Sequence, residues 1–297
     1  MKLGKLGVWM MTDFSSAADS AVWAQRVEKW GYGALWIPEA LGRDALIASG
    51  WLLAHTKSLT LATGIANIYA RDALSAMCGQ NTLAEQSGGR FLLGLGVSHS
   101  LLVEGMRGQT YEKPIPTMKA YLERMAKGEY SGPRPSERPK TVIAALGPKM
   151  LELAASHADG AHPYNVTPDH TAMARKVLGS GKLLCPEQMV LLETDPSKAR
   201  AAGRQTLSFY LQLPNYRNNF LRMGFSEDDV SGNGSDKLID AIVAWGDEKA
   251  IRARIQQHWD AGADHVCIQT VTRGPMGSGL TKEDVRIFEL LAPGPTR

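Results

Sequence analysis

The segment Gly147-Pro148-Lys149-Met150 contains the residue types from which α/β proteins build anion sites. An apolar run of strand length precedes it, and a helical pattern follows it. Glycine lets a ligand approach the backbone, proline suits the first helical turn, and the unpaired N–H groups of that turn point at a phosphate. Lys149 opposes the helix dipole, so it either pairs with a bound anion or is solvated. The segment predicts a phosphate site, although a Gly-Pro turn alone does not establish one.

A second unit of the same kind follows directly along the chain. Residues 160–162 (Gly-Ala-His) have the pattern of a short buried strand, and Thr167-Pro168-Asp169 predicts a helix start with Thr167 as its N-cap. His162 and Tyr164 lie at the connection between strand and helix. Two adjacent strand–turn–helix units of this kind predict one wall of a cofactor site.

Short apolar runs alternate with helical patterns along the whole chain. Strands are predicted at 3–10, 34–37, 59–65, 90–96, 142–146, 160–162, 188–192 and 265–271. Helices are predicted from a cap at 15–16 to 31–33, and at 44–55, 72–87, 117–127, 196–211, 236–245 and 247–261. No regular period marks 97–116 or 213–234, and a Gly/Pro-rich tail ends the chain.

Eight strands alternating with helices favour an α/β fold of the (β/α)8 TIM-barrel type. The alternative is an open doubly wound sheet, which carries a glycine fingerprint after its first strand. Gly4 and Gly7 lie within the first strand region instead. With no linker or low-complexity stretch, we expect residues 1–297 to form a single barrel domain.

The composition excludes several classes of function. A net charge of +3 without a run of five basic residues argues against nucleic-acid binding. Three distant cysteines and seven histidines show no metal-ligand spacing, so no metal site is expected. No window reaches the roughly 18 apolar residues that span a membrane. The N-terminal MKLGKLGVWMM is too short for a secretory signal, so a cytoplasmic protein is expected.

Segments in the predicted loops together resemble the luciferase-like flavin and deazaflavin oxidoreductases. They are LGVWM, ALWIPE, LTLATGIANIYARDA, GGRFLLGLGVSHS, ALGPKMLELAASHADGAHPY and TPDHTAMAR, in this order over almost the whole chain. The last two, with GADHV near the end, are most similar to the branch that uses the deazaflavin coenzyme F420. The resemblance implies a luciferase-like barrel, hydride transfer to or from a small-molecule substrate, and a homodimer formed through barrel helices.

The resemblance also implies two candidate catalytic residues. Glu39 follows the second strand, where related enzymes carry an ionisable residue beside the substrate, so it is a candidate acid or base for the accompanying proton. The alternative is a structural ion pair with Arg43 or Arg71. His99, in the loop after the fourth strand, is the other candidate acid or base, unless it is simply solvated.

Further positions are expected to bind the coenzyme ring. The family carries a non-prolyl cis peptide in a bulge of the third strand, against which the ring rests, and the matching positions are Gly64-Ile65 or Ala66-Asn67. Asn67 could bond the ring edge or act as a turn residue. Val97 and Ser98 follow a glycine-rich strand that permits close approach of a planar ring.

His162 and Tyr164 are the remaining ring candidates, the alternative for His162 being a core histidine bonded to backbone. Given the resemblance, the four residues 147–150 become the best candidates for the phosphate of the coenzyme. The leading hypothesis is a coenzyme F420-dependent oxidoreductase. The alternatives are an FMN-dependent monooxygenase on the same fold and a non-catalytic flavin-binding barrel.

Overall fold

The computed structural model describes residues 1–40, 42–271 and 280–294. Its strands are β1 (Leu6–Trp9), β2 (Ala34–Ile37), β3 (Thr60–Thr63), β4 (Ala66–Asn67), β5 (Phe91–Gly96), β6 (Lys140–Ile143), β7 (Gly160–Ala161), β8 (Leu183–Leu184), β9 (Glu187–Leu192), β10 (Val243–Gly246) and β11 (Val266–Thr270). Its helices are α1 (Ala17–Lys29), α2 (Ala45–Ala54), α3 (Ala73–Gln86), α4 (Ser100–Gly105), α5 (Pro114–Ala126), α6 (Pro148–His157), α7 (Pro168–Leu178), α8 (Pro196–Leu211), α9 (Pro214–Arg222), α10 (Asp236–Ile242), α11 (Glu248–Asp260) and α12 (Lys282–Leu291).

All the described strand pairs are parallel. The sheet runs β10-β9-β11-β1-β2-β3-β5-β6-β7-β8, with β4 paired beside β5. Only Cys185 and Pro186 separate β8 from β9 in the chain, yet the two strands stand near opposite ends of this order. The strands therefore form a curled parallel sheet with helices, which is consistent with the predicted α/β fold class.

The sheet buries both of its faces, and side chains alternate between two cores. In β2, Leu35 and Ile37 belong to the cluster that includes the outer helices, whereas Ala34 and Trp36 belong to a second cluster. Trp36 is fully buried in this second cluster. Because both faces are apolar, the strands read as short continuous hydrophobic runs, and this explains why the sequence located them.

Capping side chains fix where the helices begin. The side chains of Ser16, Asp44, Asp72 and Asp195 accept hydrogen bonds from backbone amides in the first turns of α1, α2, α3 and α8. Thr167 does the same for α7, followed by Pro168 at the first helical position, as predicted. These contacts set the starts of the helices after β1, β2 and β4, and that of α7 after the connection that follows β7.

A one-residue bulge interrupts the third strand. Ala62 pairs with Leu92 of β5, and Ala66 pairs with Leu95, so three intervening residues face two on the partner strand. The Gly64–Ile65 peptide within this segment is cis. The Thr63 hydroxyl donates to the Gly94 carbonyl (2.7 Å) and accepts from the Gly94 amide (2.8 Å), replacing the missing ladder bonds. Of the two positions expected for the bulge, the first is confirmed.

The structure departs from the predicted elements in five places, the first being the short strand β8, which was not predicted. The stretch 213–234 contains the helix α9, and 97–116 contains α4 and the start of α5. The predicted helix 236–245 ends at Ile242 and continues as β10, which pairs with β9. The predicted tail contains α12, and residues 272–279 and 295–297 of that tail lie outside the described residues. No described helix is both long and apolar enough to span a bilayer.

Candidate active site

A cavity of about 580 Å³ opens at the carboxyl ends of β3, β5, β6 and β7. Its size lies within the range of small-molecule sites. It is lined by Ile65, Gly96, Val97, Ser98, His99, Tyr111, Pro114, Ile115, Ala144, Ala145, Leu146, Gly147, Pro148, Lys149, Met150, His162, Tyr164, Asn215, Tyr216, Asn218 and Arg222. Ten of the thirteen positions that the sequence nominated are in this set. The lining contains two full cations and no carboxylate among the described residues.

The bulge of the third strand forms one wall of the cavity. Ile65 contributes to the lining, and the Trp9 indole donates from Nε1 to the Gly64 carbonyl at 2.8 Å. A Cβ at Gly64 would lie 2.8 Å from Trp9 Nε1 and 3.1 Å from His162 Nε2. Position 64 therefore accepts only glycine without displacing Trp9 or His162, which pack against the bulge.

His162 both borders the cavity and bonds to the backbone, so the backbone-bonded alternative is confirmed and ring binding stays a prediction. It lines the cavity, and its Nδ1 donates to the Cys185 carbonyl at 2.7 Å. Its ring stacks on Trp36 at a centroid distance of 4.4 Å. Burial lowers the pKa of His162 to about 4, so the ring is neutral at pH 7, with the proton on Nδ1. Its Nε2 has no hydrogen-bond partner in the described part of the chain.

Tyr164 belongs to an ordered set of hydroxyl groups beside the cavity. Its hydroxyl donates to Gln269 Oε1 at 2.6 Å and lies 2.8 Å from the Tyr210 hydroxyl. Because the proton of Tyr164 is used on Gln269, Tyr210 is the donor between the two tyrosines. Burial raises the pKa of Tyr164 well above its ordinary value, so it remains a phenol. The Tyr164 oxygen can still accept a hydrogen bond, so this array can position a substrate hydroxyl group.

The segment that follows β5 forms another wall of the cavity. It consists of Val97, Ser98 and His99. Ser98 has a positive φ of 58°, uncommon for a residue with a side chain and typical of functional loops. The His99 ring lies 5.8 Å from that of Tyr216 and is hydrogen-bonded by the Asn215 side chain. Burial lowers the pKa of His99, which the Asn215 contact partly opposes, so at pH 7 the imidazole is mainly neutral. A neutral histidine at a cavity wall can exchange a proton.

The α6 N-terminus provides the cationic end of the cavity. Gly147 is its N-cap and forms no side-chain cap bond, Pro148 is in the first turn, and both line the cavity with Lys149 and Met150. The first turn of α6, with its free N–H groups, and the Lys149 residue therefore border the same cavity. Such a turn could hold a phosphate or carboxylate group, and the predicted phosphate site stays a prediction.

Glu39 does not line the cavity and forms a structural ion pair instead. Its carboxylate forms a bidentate ion pair with Arg71, in which one contact measures 2.9 Å, and it also accepts from the backbone amides of Asn67 (2.7 Å) and Ala45 (3.2 Å). The side chains of Glu39 and Arg71 are only 4% and 9% exposed. A carboxylate with four donors has no free lone pair aimed at a substrate. Its assignment as an acid or base is therefore corrected to that of a buried ion-pair partner.

Gly64 and Asn67 support the wall from outside the described lining. Asn67 pairs with Gly96 in the sheet, and its side-chain oxygen accepts from the Tyr69 amide at 2.9 Å, which is the turn-residue alternative. Within the described ranges, no group of three or more His, Cys, Asp or Glu side chains could hold a metal ion.

The sequence analysis did not predict the helix α9. Asn215, Tyr216, Asn218 and Arg222 all line the cavity, although their segment was treated as an irregular insert. A signal for the helix was present, because Pro214 stands at its first turn and Gly224 (φ 91°) follows its end. Nothing local could show that this helix crosses the cavity.

Comparison with known proteins places the chain in a family. The family profile described as luciferase-like monooxygenase matches residues 3–181. A putative coenzyme F420-dependent oxidoreductase of Mycobacterium tuberculosis is 26% identical, over 92% of this chain and 95% of that protein. The 5,10-methylenetetrahydromethanopterin reductase of Methanolobus tindarius is also 26% identical, over 88% of this chain and 92% of that protein.

Solved structures share the fold. An F420-dependent secondary alcohol dehydrogenase, in complex with an F420-acetone adduct, superposes with a TM-score of 0.75 over 100% of both chains, at 16% identity. The coenzyme F420-dependent tetrahydromethanopterin reductase of Methanopyrus kandleri gives 0.74 over 97% of both chains, at 17% identity. Because the matched profile covers more than half of the sequence, the chain belongs to the luciferase-like monooxygenase family of enzymes.

Proposed function

We propose that this protein is an oxidoreductase that transfers a hydride between coenzyme F420 and a small organic substrate. The observation that carries the proposal is the cavity itself, which joins apolar walls to a cationic end without any carboxylate in its described lining. A planar ring with an anionic tail needs this distribution of surface. The relative named as a putative F420-dependent oxidoreductase covers 92% of this chain and favours the deazaflavin over other ring coenzymes.

The residues that line the cavity fit coenzyme F420 in two sets, one for the ring and one for the phosphate. Ile65, Val97 and Ser98 would hold the ring, and the turn at Gly147–Met150 would hold the phosphate. When bound, the deazaflavin supplies a two-electron hydride donor or acceptor with little oxygen chemistry. The protein then orients the reactants, excludes water and handles the accompanying proton.

His99 is the candidate for the proton that accompanies hydride transfer. It is partly buried, mainly neutral at pH 7 and held by Asn215 at the cavity wall. The ordered hydroxyl of Tyr164 would position the polar group of the substrate nearby. Glu39 is left out of this assignment because its oxygens are used by Arg71 and two amides.

Titration of the purified protein with the deazaflavin coenzyme and, separately, with FMN tests the proposal. Trp9 packs against the bulge, so bound coenzyme should quench intrinsic tryptophan fluorescence. We expect saturable quenching by F420 at lower concentration than by FMN. The alternative of an FMN-dependent monooxygenase is favoured by the name of the matched family, and tighter binding of FMN would support it.

Two controls make the titration decisive. A panel of alcohols, imines and enones should be oxidised or reduced with the coenzyme, since tight binding without turnover would instead support a non-catalytic barrel. A protein that binds neither ring would contradict the proposal altogether. The His99→Gln variant should retain coenzyme binding and lose turnover by about 10²- to 10⁴-fold, the usual contribution of a positioned acid or base.

We also propose the finer architecture that the resemblance implies. β8 and β9 are joined by two residues and pair with β7 and β11 respectively, which supports a closed eight-stranded barrel that forms a single domain over residues 1–297. The homodimer remains a proposal as well. Ile47 and Trp51 of α2 support it, because both are large apolar side chains exposed on one helix face.

A further inference from the structure

Helix α9 presents one polar face to the cavity. Asn215, Asn218 and Arg222 are spaced three and four residues apart, so they lie on the same side of the helix. The other side is anchored by Phe220, which is fully buried and contacts Phe225 edge-on at 6.5 Å. The orientation of α9 is therefore fixed by its apolar side, and its polar side faces the cavity.

Arg222 reaches from this helix to the start of α6. Its Nη2 atom lies 3.4 Å from the position that a Cβ would occupy at Gly147. The same nitrogen donates to Asn219 Oδ1 at 3.2 Å, a contact that holds the guanidinium in place. The guanidinium of Arg222 therefore lies directly beside the exposed backbone of the turn at Gly147.

The charges gathered here lack a counter-charge. Neither Arg222 nor Lys149 forms an ion pair with any residue that the structure describes. Both face the N-terminus of α6, which is itself the positive end of a helix dipole. Two cations beside a positive helix end repel one another, and no carboxylate belongs to the described lining to offset them. An anion bound between them would offset this repulsion.

We propose that Arg222 is an anion-binding residue that links α9 to α6 through the phosphate of the bound coenzyme. This inference rests on the proposed function, since it names a further residue for the same site. The guanidinium would bind the phosphate oxygens from the side opposite to the helical amides, with Lys149 as a third contact. Phosphate binding would then also hold α9 across the substrate side of the cavity, where Asn215 and Tyr216 lie.

The test compares two ligands that share a ring. One is coenzyme F420, and the other is its deazaflavin chromophore with the ribitol chain but without the phosphate and glutamate tail. In the wild type, F420 should bind more tightly than the chromophore. In Arg222→Gln, affinity for F420 should fall about 10- to 100-fold, the range for a charge-assisted hydrogen bond, while affinity for the chromophore stays unchanged.

Arg217 supplies a matched control on the same helix. It pairs with Glu227 and does not belong to the described lining, so Arg217→Gln should leave the affinity for both ligands unchanged. Arg222→Lys, which keeps the charge but loses the bidentate fork, should recover part of the loss. Thermal unfolding without ligand confirms that each variant is folded.

Hydrogen exchange gives a second readout that does not depend on affinity. Amides of α9 should be protected by F420 in the wild type, much less by the chromophore, and not by F420 in Arg222→Gln at matched saturation. Equal losses for both ligands in Arg222→Gln, or an unchanged affinity for F420, would overturn the inference while leaving the proposed function intact. Failure of the wild type to bind either ligand would instead contradict the proposed function.

Discussion

At the scale of single residues, Glu187 is a buried carboxyl group in unfavourable surroundings. It is 1% exposed, Oε2 accepts only a 3.2 Å bond from the Asn165 amide, and Oε1 has no partner among the described residues. Burial raises the pKa of Glu187 to about 8, although the Asn165 contact opposes the shift. The carboxyl group is therefore protonated in the folded protein at pH 7 and ionised in the unfolded chain.

This residue makes stability depend on pH in a defined direction. Between the unfolded pKa near 4.5 and the folded pKa near 8, the native state holds the proton that the unfolded state releases. Stability from Glu187 is thus fully present below pH 4.5 and is lost as the pH rises through 8, by about 1.4 kcal/mol per pH unit at most. Urea unfolding of the wild type and Glu187→Gln at pH 5, 6.5 and 8 measures the difference.

We expect the difference in the free energy of unfolding between the two proteins to change with pH. As the pH rises to 8, the wild type should lose stability relative to Glu187→Gln. Other ionisable groups are common to both proteins and cancel in the comparison. Glu152→Gln, which changes an exposed carboxylate of α6, is the matched control and should follow the wild type at every pH. Parallel pH profiles for the wild type and Glu187→Gln would contradict the assignment.

Candidate site residues could be nominated from the sequence where they are close together in the chain. The turn 147–150 and the residues His162 and Tyr164 belong to local strand–turn–helix units, and the structure brings all of them to one cavity. Arg222 is more than 70 positions away from that turn and has no local signature. Glu39 stands at a strand end that is typical of catalysis, but its buried pairing with Arg71 depends on tertiary contacts that spacing does not reveal.

At the scale of elements, the join between β3 and β5 depends on one hydroxyl. Thr63 Oγ1 serves both the N–H and the C=O of Gly94 at the bulge, and Thr63 is fully buried. Thr63→Val keeps the shape but leaves both backbone groups unpaired, so we expect a loss of about 2–5 kcal/mol in the free energy of unfolding. Equilibrium urea unfolding followed by circular dichroism measures it.

Thr63→Ser is the control, because it keeps the hydroxyl and removes one methyl group. Thr63→Ser should lower the free energy of unfolding by about 1 kcal/mol, the contribution of one buried carbon. If Thr63→Val and Thr63→Ser lower the free energy of unfolding equally, the hydroxyl does not stabilise the bulge. Water would then form the hydrogen bonds of the Gly94 backbone instead.

The elements themselves were predicted to different degrees, for physical reasons. The eight predicted strands are continuous apolar runs, and each overlaps a strand of the structure, whereas the two-residue strand β8 was not predicted. The pairing offset that makes the bulge was expected only from the family resemblance and not from the apolar pattern. The extra strand β10 was read as helix because Ile242 and Val243 suit either state, and pairing with β9 decides between them. Helix α12 was missed despite its capping box of Thr281 and Asp284.

At the scale of the whole molecule, the outer surface carries an apolar feature separate from the cavity. Ile47 is 77% exposed and Trp51 44% exposed, and their spacing of four residues places them on one face of α2. The cavity lies at the carboxyl ends of the strands, and α2 contributes nothing to its described lining. An interface on α2 would therefore leave the cavity accessible to coenzyme and substrate.

The proposed homodimer predicts that a single charge on this face separates the subunits. Ile47→Lys removes an apolar side chain worth about 1.5–3 kcal/mol at an interface and places an ammonium group there, so the dissociation constant should rise at least 10- to 100-fold. Light scattering coupled to size exclusion, over a range of concentrations, should show a dimer for the wild type and a monomer for the variant. Leu101→Lys is the matched control, because Leu101 of α4 is also exposed and lies on a different element. A wild-type protein that is monomeric throughout, or a variant that remains dimeric, would show that α2 is not the interface.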